Sequence, residues 1–208
     1  MRNRNFALLS VLSLLLALGV VPASADGAKP GQSMTHMKTA AGLSAALEAA
    51  GVVLYVQGGA TSSIVGDSIA TADGRVVFHI PITANKSGVQ HIGSNIVFFN
   101  TTNNLQLQLK NPVINLKTGV ISAVIPQAAN ASMTVLTITN AATLKAKIKT
   151  DRKAGLRTTA YENAALAIAP GVGAAIAGIL GLPEGALPDG TSFGSADVTL
   201  YSKAPKGK

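Results

Sequence analysis

Cysteine and tryptophan are both absent from the 208 residues, and only 4% of the side chains are aromatic. No cysteine means no disulfide and no thiolate nucleophile, and the core has to be built from aliphatic groups. That is no obstacle, because a single domain of this size buries roughly 70% of its unfolded surface without any bridge. Charge is scarce as well. Only 12% of the residues are charged and 48% are hydrophobic, the opposite of a disordered composition. The nine acidic residues are scattered singly, which leaves no local pair of carboxylates for glycoside hydrolysis. Also missing are a Gly-x-Ser-x-Gly elbow, a glycine-rich phosphate loop and a histidine pair at metal-binding spacing.

What the chain does contain is alternation. Within 75–126, Val76, Phe78, Ile80 and Ile82 alternate with other side chains, and Leu105, Leu107 and Leu109 alternate with Gln106, Gln108 and Lys110. Successive side chains of a strand point to opposite faces, so each run predicts one buried face. Asn111 and Pro112 break the leucine run, and Ile114 and Leu116 resume it on the other parity, as a bulge or corner would require. Further strands are expected over 52–57, 96–100, 120–125, 133–139, 161–168 and 190–201. Short strands spaced this regularly predict an all-β, antiparallel β-sandwich or barrel. Two short helices accompany it. One is expected over 39–50, stopped by Gly51, and the other carries an apolar stripe of Val172, Ala175, Ile176, Ile179 and Leu180.

The ends set the organisation. Arg2 and Arg4 precede an apolar run over 6–21, and Ala23, Ser24 and Ala25 supply small residues for cleavage, so 1–25 reads as a secretory signal peptide. A flexible arm over 26–36, a single β-sandwich domain over 37–201 and a basic tail over 202–208 complete the expected division. The protein is accordingly expected to be extracellular or wall-associated.

Few residues carry a hint of chemistry. Lys145, Lys147 and Lys149 share one parity of an expected strand over 144–149, and Arg152 and Lys153 extend the charge. Such a face suits an anionic cell-wall polymer or lipid headgroups. It equally suits an edge strand guarded by lysine against pairing with other edges. Nucleic acid is not expected, because no aromatic residues interleave with the lysines to stack on bases. Asp67 and Asp73 read as turn residues rather than calcium ligands, and His36 falls in the arm. His79 alternates with Phe78 and Ile80 and so faces away from them.

His91 sits in the run Gly88, Val89, Gln90, His91, Ile92, Gly93, which is followed by a strand, by Leu107 to Leu116 around Asn111 and Pro112, and by a strand opened by Gly119. Together with Leu166 to Leu180, Pro188, Gly190 and Gly194 to Val198, this succession resembles the secreted actinobacterial proteins related to the haem-transport-associated Htaa family. The resemblance implies a secreted or surface β-sandwich with two short helices. In haem-binding members, a tyrosine after a Trp-Gly motif supplies the iron ligand, with the turn histidine behind it. Here the chain has no tryptophan, and Tyr55 is the tyrosine nearest the corresponding region. The expectation is therefore a non-enzymatic surface binding protein without a cofactor. Haem held by His91 with Tyr55 is one alternative, and a secreted hydrolase of unrecognised type is another.

Overall fold

The computed structural model describes residues 32–65 and 74–205. The expected signal peptide over 1–25, most of the expected arm, Asp67, Asp73 and the last three residues of the tail lie outside the described residues. In chain order the elements are β1 (Met34–Thr39), α1 (Leu43–Ala49), β2 (Val52–Gly58), β3 (Thr61–Val65), β4 (Arg75–Pro81), β5 (Val89–Gln90), β6 (Ser94–Asn100) and β7 (Gln106–Asn115). They continue as β8 (Val120–Ile125), β9 (Ala131–Ile138), β10 (Lys147–Asp151), β11 (Leu156–Ile168), α2 (Val172–Leu180) and β12 (Ser192–Lys203).

The twelve described strands join one sheet whose pairings are antiparallel, ten of them in the order β2-β6-β7-β8-β9-β11-β12-β1-β4-β3, with β5 paired to β7 and β10 to β11 beside this path. Its two ends are the consecutive strands β2 and β3, which places the ends side by side and leaves the sheet nearly closed. The fold is all-β with two short helices, as the alternation predicts. Inside the curl lies one aliphatic core to which Val76, Phe78, Ile80, Leu107, Leu109, Ile114, Val135, Leu166 and Val198 contribute.

Strand β7 carries the expected break. Its register against β8 shifts between Lys110 and Val113, and Asn111 has a φ of 49°. The extra residue moves the buried set from Leu107 and Leu109 to Pro112 and Ile114, so both halves of the strand face the core. Leu105 departs from expectation. It precedes the strand and is 44% exposed, because the chain is still turning there and the face periodicity has not begun.

The arm and the first helix are corrected more substantially. Residues 34–36, assigned to the arm, belong to β1, which lies between β12 and β4 with ladders on both sides. Its inward residues are Thr35, Met37 and Thr39, and two hydroxyls on the buried face conceal the strand from a hydropathy reading. Both are satisfied inside: Thr39 Oγ1 accepts from the Val76 amide at 2.9 Å and lies 3.1 Å from Ser44 Oγ. The helix begins at Leu43 rather than 39, because Thr39 is held in the sheet, the Ala40 amide bonds to the Phe193 carbonyl at 2.8 Å, and Gly42 turns with φ 78°.

Gly58 and Gly173 are among the glycines required by contact. A β-carbon on Gly58 would stand 1.8 Å from the Gly93 carbonyl oxygen, and one on Gly173 would stand 1.8 Å from that of Leu187. The second explains a glycine in α2: it lets the helix abut the 187–189 loop rather than the sheet itself, whereas Gly171 and Gly178 face open space. Asp189 in that loop accepts from the Gly173 amide at 3.0 Å and from the Gly171 amide at 2.5 Å, and these bonds hold its carboxyl below the usual carboxylate range. At the other end, Asn100 and Asn103 donate to the Leu180 carbonyl at 2.8 and 2.9 Å, so polar side chains close both ends of the helix.

Candidate functional site

His91 leaves β5 on a turn that docks against the bulge of β7. The Asn111 side-chain oxygen accepts from the Gly93 amide at 2.8 Å, and the His91 amide donates to the Pro112 carbonyl at 3.0 Å. The ring itself is only 1% exposed. A carbonyl can only accept, so Nδ1–H donates to Pro112 O at 2.9 Å, and Nε2 then accepts the Thr35 hydroxyl at 2.8 Å. That tautomer is neutral. Burial lowers the pKa of the ring, with the bond to Pro112 opposing the shift.

The same geometry tests the haem arrangement. An iron ligand needs a free nitrogen lone pair, and the one on Nε2 is taken by Thr35. The cavity beside the ring measures about 20 Å³, room for about one water, and Met37, Ile80, Leu109 and Ile114 are among its walls. Tyr55 stands opposite Val97 on the ladder between β2 and β6, whereas Leu54 and Val56 turn toward the core. It therefore occupies the outer face, with the sheet between it and His91. These two residues do not fit a porphyrin between them. His91 acts as a structural tie between β1, the turn after β5, and β7.

The basic segment lies elsewhere and differs from expectation in extent. The strand is Lys147–Asp151, so Lys147 and Lys149 share a face while Lys145 precedes it. Alternation toward a core is absent: all five residues are exposed, including Ile148 at 56%. The reason is position. β10 pairs only with the first part of β11, through registers such as Lys147 to Ala160 and Lys149 to Thr158, whereas β9 pairs with the last part. The hairpin thus extends past the closed core. Arg152 and Lys153 occupy its turn, where the Asp151 carboxylate accepts from the Ala154 amide at 3.0 Å, and Lys203 stands opposite Leu156 on β12.

At the base of the hairpin an open hollow of about 260 Å³ is lined by Asn140, Thr143, Leu144, Lys145, Lys147 and Glu162, with Asn163 beside them. Asn163 is the positive-φ residue of a bulge in β11, at φ 56°, and its carbonyl accepts from Asn140 Nδ2 at 2.9 Å. Lys147 pairs with Glu162, while Lys145 has no carboxylate partner among the described residues. The hollow offers hydrogen-bonding amides and hydroxyls beside one free and one paired ammonium group.

One further group was not legible in the sequence. His36 on β1 stands directly opposite His79 on β4, and across β1 in the other direction it stands opposite Asp197 on β12. The rings meet edge to face with centroids 4.8 Å apart. His79 Nε2 lies 3.3 Å from Ser63 Oγ, but His79 Nδ1 has no hydrogen-bond partner, so the ring lacks the orienting acceptor that a base for a serine nucleophile requires. Burial and the neighbouring His79 lower the pKa of His36, with Asp197 opposing. No sequence spacing reveals this cluster, because the partners of His36 across β1 come from distant parts of the chain.

The site and the fold stand without external analogues: no family model, curated protein or solved structure matches the chain.

Proposed function

We propose that the protein is a secreted or cell-surface binding protein of Htaa-like type that works without a catalytic centre and holds an anionic wall polymer at the β10–β11 hairpin. The observation that carries this is the hollow of about 260 Å³ at the hairpin base, with Lys145 and Lys147 on its wall and Lys149, Arg152 and Lys153 beyond it. Alternate residues of a strand are roughly 6.8 Å apart, so Lys147 and Lys149 present a row of charges suited to a polymer with repeating anionic groups. The hollow is close to the size of a small ligand site and would seat one unit of such a polymer. The charges are exposed, so their attraction is long-ranged, steers encounter and is screened by salt.

The test is retention of the purified protein on isolated cell envelopes. Retention should fall steeply as ionic strength is raised, and replacing Lys145, Lys147 and Lys149 by Gln should release the protein with its circular dichroism unchanged. Anionic lipid vesicles should compete poorly; equal competition would assign the face to headgroups instead. A second reading, in which the lysines guard an edge, is favoured by the fact that β10 has a partner on one side only. In that case the triple variant keeps its envelope retention and sediments as aggregate.

A further inference from the structure

The whole chain has three histidines, and the interior hydrogen bonds of His91 leave only His36 and His79 to act at the surface. Directly opposed residues on antiparallel strands hold their β-carbons about 4.5–5.5 Å apart, close enough for two imidazoles to reach one ion. Here the ring centroids are 4.8 Å apart. His36 Nε2 and His79 Nδ1 are both shielded from water and neither has a hydrogen-bond partner, although buried polar atoms nearly always find one. Such unpaired nitrogens on two adjoining rings suit a ligand that supplies no hydrogen bond and accepts lone pairs. We propose that His36 and His79 form a two-imidazole chelate for a divalent transition metal ion of the Cu²⁺, Ni²⁺ or Zn²⁺ kind.

Imidazole selects these ions over magnesium and calcium, which prefer oxygen. No three side chains of His, Cys, Asp or Glu converge on a metal position among the described residues, so the protein contributes two ligands. Asp197, opposite His36 across the ladder, adds a negative charge on the same face and is itself anchored by the Asn163 amide at 2.7 Å. Ser63 Oγ, 3.3 Å from His79 Nε2, fixes the second ring from the other side. Lys38, beside His36 on β1, and Arg75, at the start of β4, oppose a cation and hold the affinity down. The ion would bridge β1 to β4. Because β3 and β4 reach the rest of the sheet through β1 alone, bridging that seam stabilises the end of the sheet.

Cu²⁺ titrated into the purified protein at neutral pH provides the test, read by electron paramagnetic resonance and by thermal melting. One ion per chain with two imidazole nitrogens is expected, together with a saturable rise in Tm, since a ligand of the folded state alone raises stability by mass action. His36→Gln and His79→Gln should each weaken binding by more than the ~10-fold typical of an outer-shell change. A resonance signal with one or no imidazole nitrogen overturns the proposal, as does wild-type affinity in either variant. Should a variant fail to fold, the nitrogen count on the wild-type protein decides alone.

Discussion

His91 and Lys147 belong to the same sheet but to opposite kinds of structure. Around His91 every polar atom has an interior partner and the walls are aliphatic, so the ring serves cohesion. Around Lys147 the strand has one neighbour, no buried face and an ion pair whose side chains are 71% and 45% exposed. The difference follows from closure. Where β6, β7 and β8 curl round the core, each residue is constrained from several directions, whereas β10 outruns the core and is constrained by its ladder with β11 on one side. Stability is concentrated in the first region, and the surface free to meet a partner is concentrated in the second.

The contrast can be broken most forcefully at Leu107, which is 1% exposed. Truncation to alanine should destabilise by roughly 2–5 kcal/mol, as lost burial and a residual cavity add together. An unchanged denaturation midpoint would show that the strand's buried face is misassigned. Next in size is His91→Phe, which keeps bulk but strands the Thr35 hydroxyl, whereas the Pro112 carbonyl loses the ring and keeps the residue-91 backbone amide. Each buried group stranded this way costs about 1–3 kcal/mol, so chemical denaturation should show a loss near that size.

Acid sharpens the comparison further. The folded-state pKa of His91 lies below its ordinary value of 6.5, so below pH 6.5 the unfolded chain gains a proton that the folded chain refuses. Stability is therefore complete above that pH and declines as the pH falls through it, until the folded-state pKa is reached. Melting temperatures from pH 7.5 down to about 5 should show this decline. The slope should be shallower in His91→Phe, and an equal slope in both proteins would remove His91 as its source. His36 shifts in the same direction but is less enclosed, so its share is smaller.

The smallest effect on stability belongs to the hairpin. Lys147→Gln with Lys149→Gln should alter the unfolding free energy by no more than about 0.5 kcal/mol, since both side chains are exposed. A larger loss would mean that the hairpin is integral to the core and that the two regions are not as distinct as their burial indicates.

Alternation was legible wherever a strand buries apolar side chains on one face. Val76, Phe78 and Ile80, and Leu107 and Leu109, disclose their parity, and Asn111 with Pro112 discloses the bulge, because these properties depend on backbone geometry within a few residues. β1 escaped because two of its three inward residues are threonines, whose hydroxyls are acceptable inside only once Val76, Ser44 and His91 are brought to them. The basic run was visible as charge, but whether its other parity would be buried depended on how far the core extends beneath it, and Ile148 shows that the core ends short. Composition and local periodicity thus determined an all-β fold with an aliphatic interior and two short helices. Only the tertiary structure decided that His91 would be locked between Thr35 and Pro112 while His36 would meet His79. Those contacts are fixed by strand register between segments far apart in the chain, and no local preference encodes them.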